Sequence, residues 1–239
     1  MTGLIIEHHR RFQPETLEEL KQAIREWNND KIVAKKKYGD ISFWNTNLIT
    51  DMSYLFYNYS YFNENISNWD VSNVTNMSCM FYMAHSFNKY IGEWNVRNVT
   101  NMKYMFCGAY DFNQYIGEWN VRKVINMKYM FCMAHNFNQY IGSWNVSKVT
   151  NMSNMFHSAY NFNQDIGNWN VINVKDTSSM FKKASTFNHY IGDWKLENII
   201  KVKKMFYEAY YFNNNNNEIS RKTIQNLNLP NNLKMRLFV

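Results

Sequence analysis

The sequence predicts an α/β repeat solenoid: a right-handed coil of short parallel strands and short helical segments, capped at both ends. Three observations lead there. Trp44, Trp69, Trp94, Trp119, Trp144, Trp169 and Trp194 recur every 25 residues. Phe56, Phe81, Phe106, Phe131, Phe156, Phe181 and Phe206 keep the same period. So do Phe62, Phe87, Phe112, Phe137, Phe162, Phe187 and Phe212, each followed by an asparagine. Seven units run without insertion or deletion from residue 44 to 213, and self-similarity at such a period marks stacked repeats.

The elements follow in chain order. Residues 1–43 form an N-terminal helical cap, in which Leu17, Leu20, Ile24 and Trp27 line one side of a segment opened by a Thr16–Glu19 capping box. Within each repeat, Ile66-x-x-Trp69-x-Val71 alternates at period two, as a short strand does, with the spacing of a leucine-rich repeat. Met77, Met80, Phe81 and Ala84 then sit at i, i+3, i+4 and i+7, the apolar face of a short helix. Identical side chains in successive coils fall in columns, and burying each Trp there dominates stability. An end coil is expected to depend less on its Trp than a central one. The asparagine run at 213–217 closes the repeats. Residues 214–239 supply a C-terminal cap from Ile219, Ile224, Leu227, Leu229, Leu233, Met235 and Leu237.

Composition narrows the classes of function. The 239 residues are 46% hydrophobic and 18% aromatic, too apolar for a disordered chain. The net charge of +7 is spread over the whole length, which favours acidic partners and leaves no nucleic-acid footprint. No apolar run reaches the length of a membrane span. The opening residues, with Leu4-Ile5-Ile6 followed by His8, His9, Arg10 and Arg11, do not read as a secretory signal. Three cysteines without such a signal argue for a reduced, cytoplasmic protein, in a host cytoplasm or a virion if viral.

The units read W-N-V-S-N-V-T-N-M-S-x-M-F-x-x-A-x-x-F-N-x-x-I-G-x-W. This pattern resembles the BspA-like leucine-rich-repeat surface-protein family, in the 25-residue form common in mycoplasma-type proteins and found in large viruses of protists. The lead-in Leu20 to Trp27 and Tyr38-Gly39-Asp40-Ile41-x-x-Trp44 fits the segment that precedes such repeats. The resemblance implies a curved solenoid used for adhesion or protein binding, with no catalytic residues to carry over. Thr177, Lys195 and Val202 depart from the pattern.

Several residue sets could carry chemistry. Asn63, Asn88, Asn113, Asn138, Asn163, Asn188 and Asn213 suit an internal hydrogen-bond ladder better than a binding strip. Glu93 and Glu118 occupy one position in adjacent repeats and could form a glycosidase pair, but Arg97 and Arg122 beside them argue for a neutralised surface. Cys107 and Cys132, and His85 and His135, lack metal-site spacing. The sequons at Asn73, Asn98 and Asn145 belong to the repeat consensus. The Ile-Gly pairs read as tight turns. The partner-binding residues expected on the strand face are Tyr90, Glu93, Asn95, Arg97, Tyr115, Glu118, Asn120, Arg122 and Tyr140, because Tyr and Arg concentrate interface energy. The expected function is a non-enzymatic protein-binding or adhesion module. The expected molecule is a monomer with an acidic protein partner, no cofactor, no metal and no nucleic acid. The alternatives are a carbohydrate-active solenoid enzyme and a structural or virion component.

Overall fold

The computed structural model describes residues 11–213 and 217–239. The opening stretch discussed as a possible signal, at 1–10, and positions 214–216 of the asparagine run lie outside the described residues.

Two helices precede the repeats. α1 (Leu17–Asn29) starts at Thr16, whose hydroxyl accepts the Glu19 N–H, and buries Leu20, Ala23, Ile24 and Trp27. The Glu19 carboxylate reaches back to the N–H of Glu15 at 2.7 Å, one residue beyond the Thr16 N–H of the expected reciprocal bond. Asp30 ends α1 and caps α2 (Lys31–Tyr38) by accepting from Ile32 and Val33. Trp27 meets Trp44 edge-on at 5.7 Å, with Phe12 and Tyr38 at 5.1 and 5.9 Å from the same ring. The first coil thus has an aromatic cover, which removes the reason for Trp44 to matter less than a central Trp.

From Trp44 onward each coil lies on the next. Indole Nε1 of Trp94 donates to the Ile66 carbonyl of the preceding coil at 3.2 Å, and Trp119 repeats this with Ile91 at 3.1 Å. Ring columns run through the core: Phe81 lies 5.4 Å from Phe106, Phe87 lies 6.0 Å from Phe112, and Trp94 lies 6.5 Å from Trp119, all near-parallel. The invariant asparagines form the expected ladder as far as Asn188, while Asn213 leaves it, its N–H bonding the Ala209 carbonyl and its Nδ2 the Phe206 carbonyl. Oδ1 of Asn63 accepts the N–H of Asn88, and the pattern continues through Asn88, Asn113, Asn138 and Asn163 at 2.9–3.0 Å.

Two elements differ from the sequence-based expectation. The Trp-x-Val stretch is not a strand. Among the described residues, parallel pairing between coils is limited to isolated bridges at Asp51, Asn76, Asn101, Asn126, Asn151, Asp176 and Lys201. The Met77–Met80–Phe81–Ala84 segment is not helical either. Residues at two positions of each coil adopt positive φ, Cys79 at 57° and Met83 at 55° in this one. These left-handed residues aim alternate N–H groups at the next coil: Met77, Cys79, Phe81 and Met83 donate to Asn101, Lys103, Met105 and Cys107. Between them, Met80, Tyr82 and Ala84 close turns onto Met77, Cys79 and Phe81. A helix this short is marginal in water, whereas the turn form gains bonds to both neighbours. That gain offsets the roughly 1–2 kcal/mol that each left-handed residue costs.

The last coil is met by the C-terminal segment. α3 (Glu218–Asn226) buries Ser220 and Thr223, and α4 (Asn231–Lys234) precedes the final residues. Arg236 and Leu237 offer their carbonyls to the N–H groups of Lys204 and Phe206 at 2.8 and 2.9 Å, in place of a further coil. Leu227, Leu229 and Leu237 are buried, but Met235, expected to join them, is 78% exposed.

Candidate functional site

Gly92, Gly117 and Gly142 fix the first face. A Cβ on Gly92 would lie 2.7 Å from the Tyr90 ring, and Gly117 and Gly142 stand in the same relation to Tyr115 and Tyr140. The glycine therefore makes room for a tyrosine two residues upstream to lie across the backbone, rather than supplying a left-handed turn. Lying there, the Tyr90 hydroxyl donates to Glu93 at 2.9 Å and the Tyr115 hydroxyl to Glu118 at 2.7 Å. Each carboxylate holds the phenolic proton in place and raises its pKa. Tyr140 has Ser143 in the corresponding position, and that hydroxyl bonds the Gly117 carbonyl instead. All three rings remain 40–48% exposed.

The other expected residues have mixed roles. Asn95 and Asn120 are exposed and accept the backbone N–H of Arg97 and Arg122 at 3.5 and 3.4 Å in Asx-type turns. Arg97 and Arg122 are exposed. Among the described residues neither forms an ion pair with Glu93 or Glu118. The sequon asparagines are also structural, since Nδ2 of Asn73 and Asn98 donates to the carbonyls of Asn47 and Ser72 at 2.8 Å.

A second aromatic face escaped the sequence reading. It lies on the turn segment, where Tyr57 stacks on Tyr82 at 4.8 Å, Tyr82 meets Tyr104 at 6.0 Å, and Tyr104 stacks on Tyr129 at 4.5 Å. The Lys103 and Lys128 ammonium groups sit 5.1 and 5.4 Å from the Tyr104 and Tyr129 ring centres. Burial pushes Tyr104 up to about 12. The repeated Lys-Tyr pair, at 103–104 and 128–129, was the available signal.

Beneath this face lie the cysteines, all buried with free thiols. Cys107 bonds Cys132 thiol to thiol, which together with burial drives the Cys107 pKa well above the usual range. His85 and His135 belong to a ring column with Tyr110 and Tyr160, at centroid steps of 4.3–4.6 Å. Among the described residues no group of three or more His, Cys, Asp or Glu side chains could hold a metal. A cleft of about 910 Å³ near the start of the chain is lined by Phe12, Lys36, Tyr38, Asp40 and Phe43 among others, and not by Glu93 or Glu118. No helix among the described residues is long and apolar enough to cross a membrane.

A family model described as "Mycoplasma protein of unknown function, DUF285" matches the chain twice, over residues 30–132 and 114–222. No curated protein and no solved structure gives a significant match.

Proposed function

The chain belongs to this Mycoplasma repeat family of unknown function, and on that premise we propose that it is a non-enzymatic protein-binding module built as a capped repeat solenoid. The interaction surface is the face bearing Tyr90, Tyr115 and Tyr140 with Arg97 and Arg122, and the setting is cytoplasmic. One observation carries the reading. In successive coils the same glycine seats a tyrosine across the backbone, and in two of them a carboxylate fixes its hydroxyl. Rings held in place before contact lose little freedom on binding, which removes one of the costs of association. Tyr and Arg are also the residues in which interface energy concentrates. Glu93 and Glu118 each spend an oxygen on a tyrosine, which suits a positioning role better than the paired acid and nucleophile of a glycosidase.

The test uses a partner captured from the natural host by affinity purification and then produced pure. Tyr115→Ala with Arg122→Ala should weaken its binding at least about tenfold with the melting temperature nearly unchanged. Glu118→Gln alone should change affinity by only a few-fold. A sugar-cleaving activity abolished by Glu118→Gln would sink the proposal. So would a partner that binds the double variant as well as the parent chain.

A further inference from the structure

The Lys-Tyr face on the turn segments is a separate surface from the one above. In sequence, the buried phenylalanine of each Phe-Asn pair, such as Phe87, lies between a turn segment and the next Tyr-Gly stretch. The face's own charged groups are the Lys103 and Lys128 ammoniums, and Asp176 is the carboxylate near enough to add to the raised Tyr129 pKa. Tyr104 and Tyr129 keep their phenolic protons, being raised chiefly by burial. Lys103 and Lys128 have no carboxylate within ion-pair distance among the described residues, and their ammonium groups rest over rings. Tyr82 adds a third phenol, also raised by burial. The strip therefore offers cationic and hydroxyl donors in two adjacent coils, on a chain whose net charge is +7.

We propose that this face docks an acidic segment of a partner protein, with carboxylates accepting from the Lys103 and Lys128 ammonium groups and the neighbouring phenols. Charge complementarity selects the occupant, because a carboxylate is an acceptor only and matches a strip of ammonium donors flanked by phenolic O–H groups. The ring geometry selects between polyanions. A single-stranded nucleic acid binds such surfaces by stacking bases on free aromatic faces. Here Tyr104 and Tyr129 stack on each other with planes 12° apart, and the ammonium groups approach the same rings. The faces are occupied, and the polar edges remain.

The experiment measures binding of a labelled oligoglutamate peptide to the full chain by fluorescence anisotropy, beside a labelled oligothymidine of equal charge. The peptide should bind at low salt and weaken as salt rises. Lys103→Glu with Lys128→Glu should lower its affinity at least about tenfold, with melting unchanged. Tyr104→Phe with Tyr129→Phe, which keeps the rings and removes the donors, should give a smaller loss. The control Lys148→Glu with Lys195→Glu changes the net charge equally away from the strip and should leave most of the affinity intact. Tyr115→Ala with Arg122→Ala should leave it unaltered, so failure of this proposal and failure of the Tyr115 face are read separately. The proposal is overturned if the peptide does not bind. It is also overturned if the control pair loses as much as Lys103 and Lys128, or if oligothymidine binds more tightly and depends on the same lysines.

Discussion

At Gly117 one missing carbon decides where a tyrosine goes. Adding it would place a Cβ 2.8 Å from the Tyr115 ring, so Gly117→Ala should lift the ring and break the Tyr115–Glu118 bond. The raised Tyr115 pKa should then fall back toward its ordinary value of 10.0, which an NMR titration would read. The tryptophans make the opposite demand, for filled space. Trp119→Ala opens a cavity and removes one of the two donors to the Ile91 carbonyl, and should cost about 3–5 kcal/mol by denaturant unfolding. Trp44→Ala should cost a similar amount, because Phe12, Trp27 and Tyr38 surround that ring. His157 contributes to acid sensitivity. Burial, helped by Lys182 and Lys183, lowers its pKa from the usual 6.5 to about 4. An unfolded His157 takes a proton below 6.5 that the folded one refuses until near 4, so stability falls as pH drops through that window. In His157→Gln the acid-induced fall in melting temperature should be shallower, with a remainder from His135, whose pKa burial also lowers.

The turn segment shows how far an apolar pattern can be read. Met77, Met80, Phe81 and Ala84 are all buried, as their spacing requires, yet their backbone is not helical. A helix and a run of turns can both send i, i+3, i+4 and i+7 inward, so periodicity finds the core without choosing the conformation. The deciding feature, left-handed φ, falls on Tyr54, Cys79, Tyr104, Tyr129 and Lys204. Side chains of those types announce no such turn; only Asn58, Gly108 and Asn154 fit the usual preference. The first candidate face was legible because its tyrosines precede a conspicuous Ile-Gly. The second was not, because two of its tyrosines, Tyr104 and Tyr129, occupy these disguised turn positions. Strain there is also testable. Ser179, at φ 55°, should accept glycine with no loss, and Ser179→Gly should raise stability by up to about 1 kcal/mol in urea unfolding. A loss would mean that the serine side chain contributes more than the backbone strain.

Across the whole molecule, each repeat is satisfied mainly by its neighbours, and the two ends by non-repeat chain. Ending the chain after Met235 would remove Arg236 and Leu237 and uncover the N–H groups of Lys204 and Phe206. Hydrogen exchange should then quicken first in the last two repeats, with those around Trp94 and Trp119 holding their protection, since stability in such arrays is local to neighbouring units. Uniform loss of protection would show a single cooperative unit instead. The bonds of the turn segment also all point one way. Met77 donates to Asn101, Met102 to Asn126 and Met127 to Asn151, never the reverse. Coils so joined resemble links with a plug at one end and a socket at the other. A duplicated link can be spliced in anywhere, but none can be turned around, and a fragment of a link fits nowhere. Inheritance can therefore lengthen or shorten this chain only in whole multiples of 25 residues, which accounts for seven repeats without one slipped register.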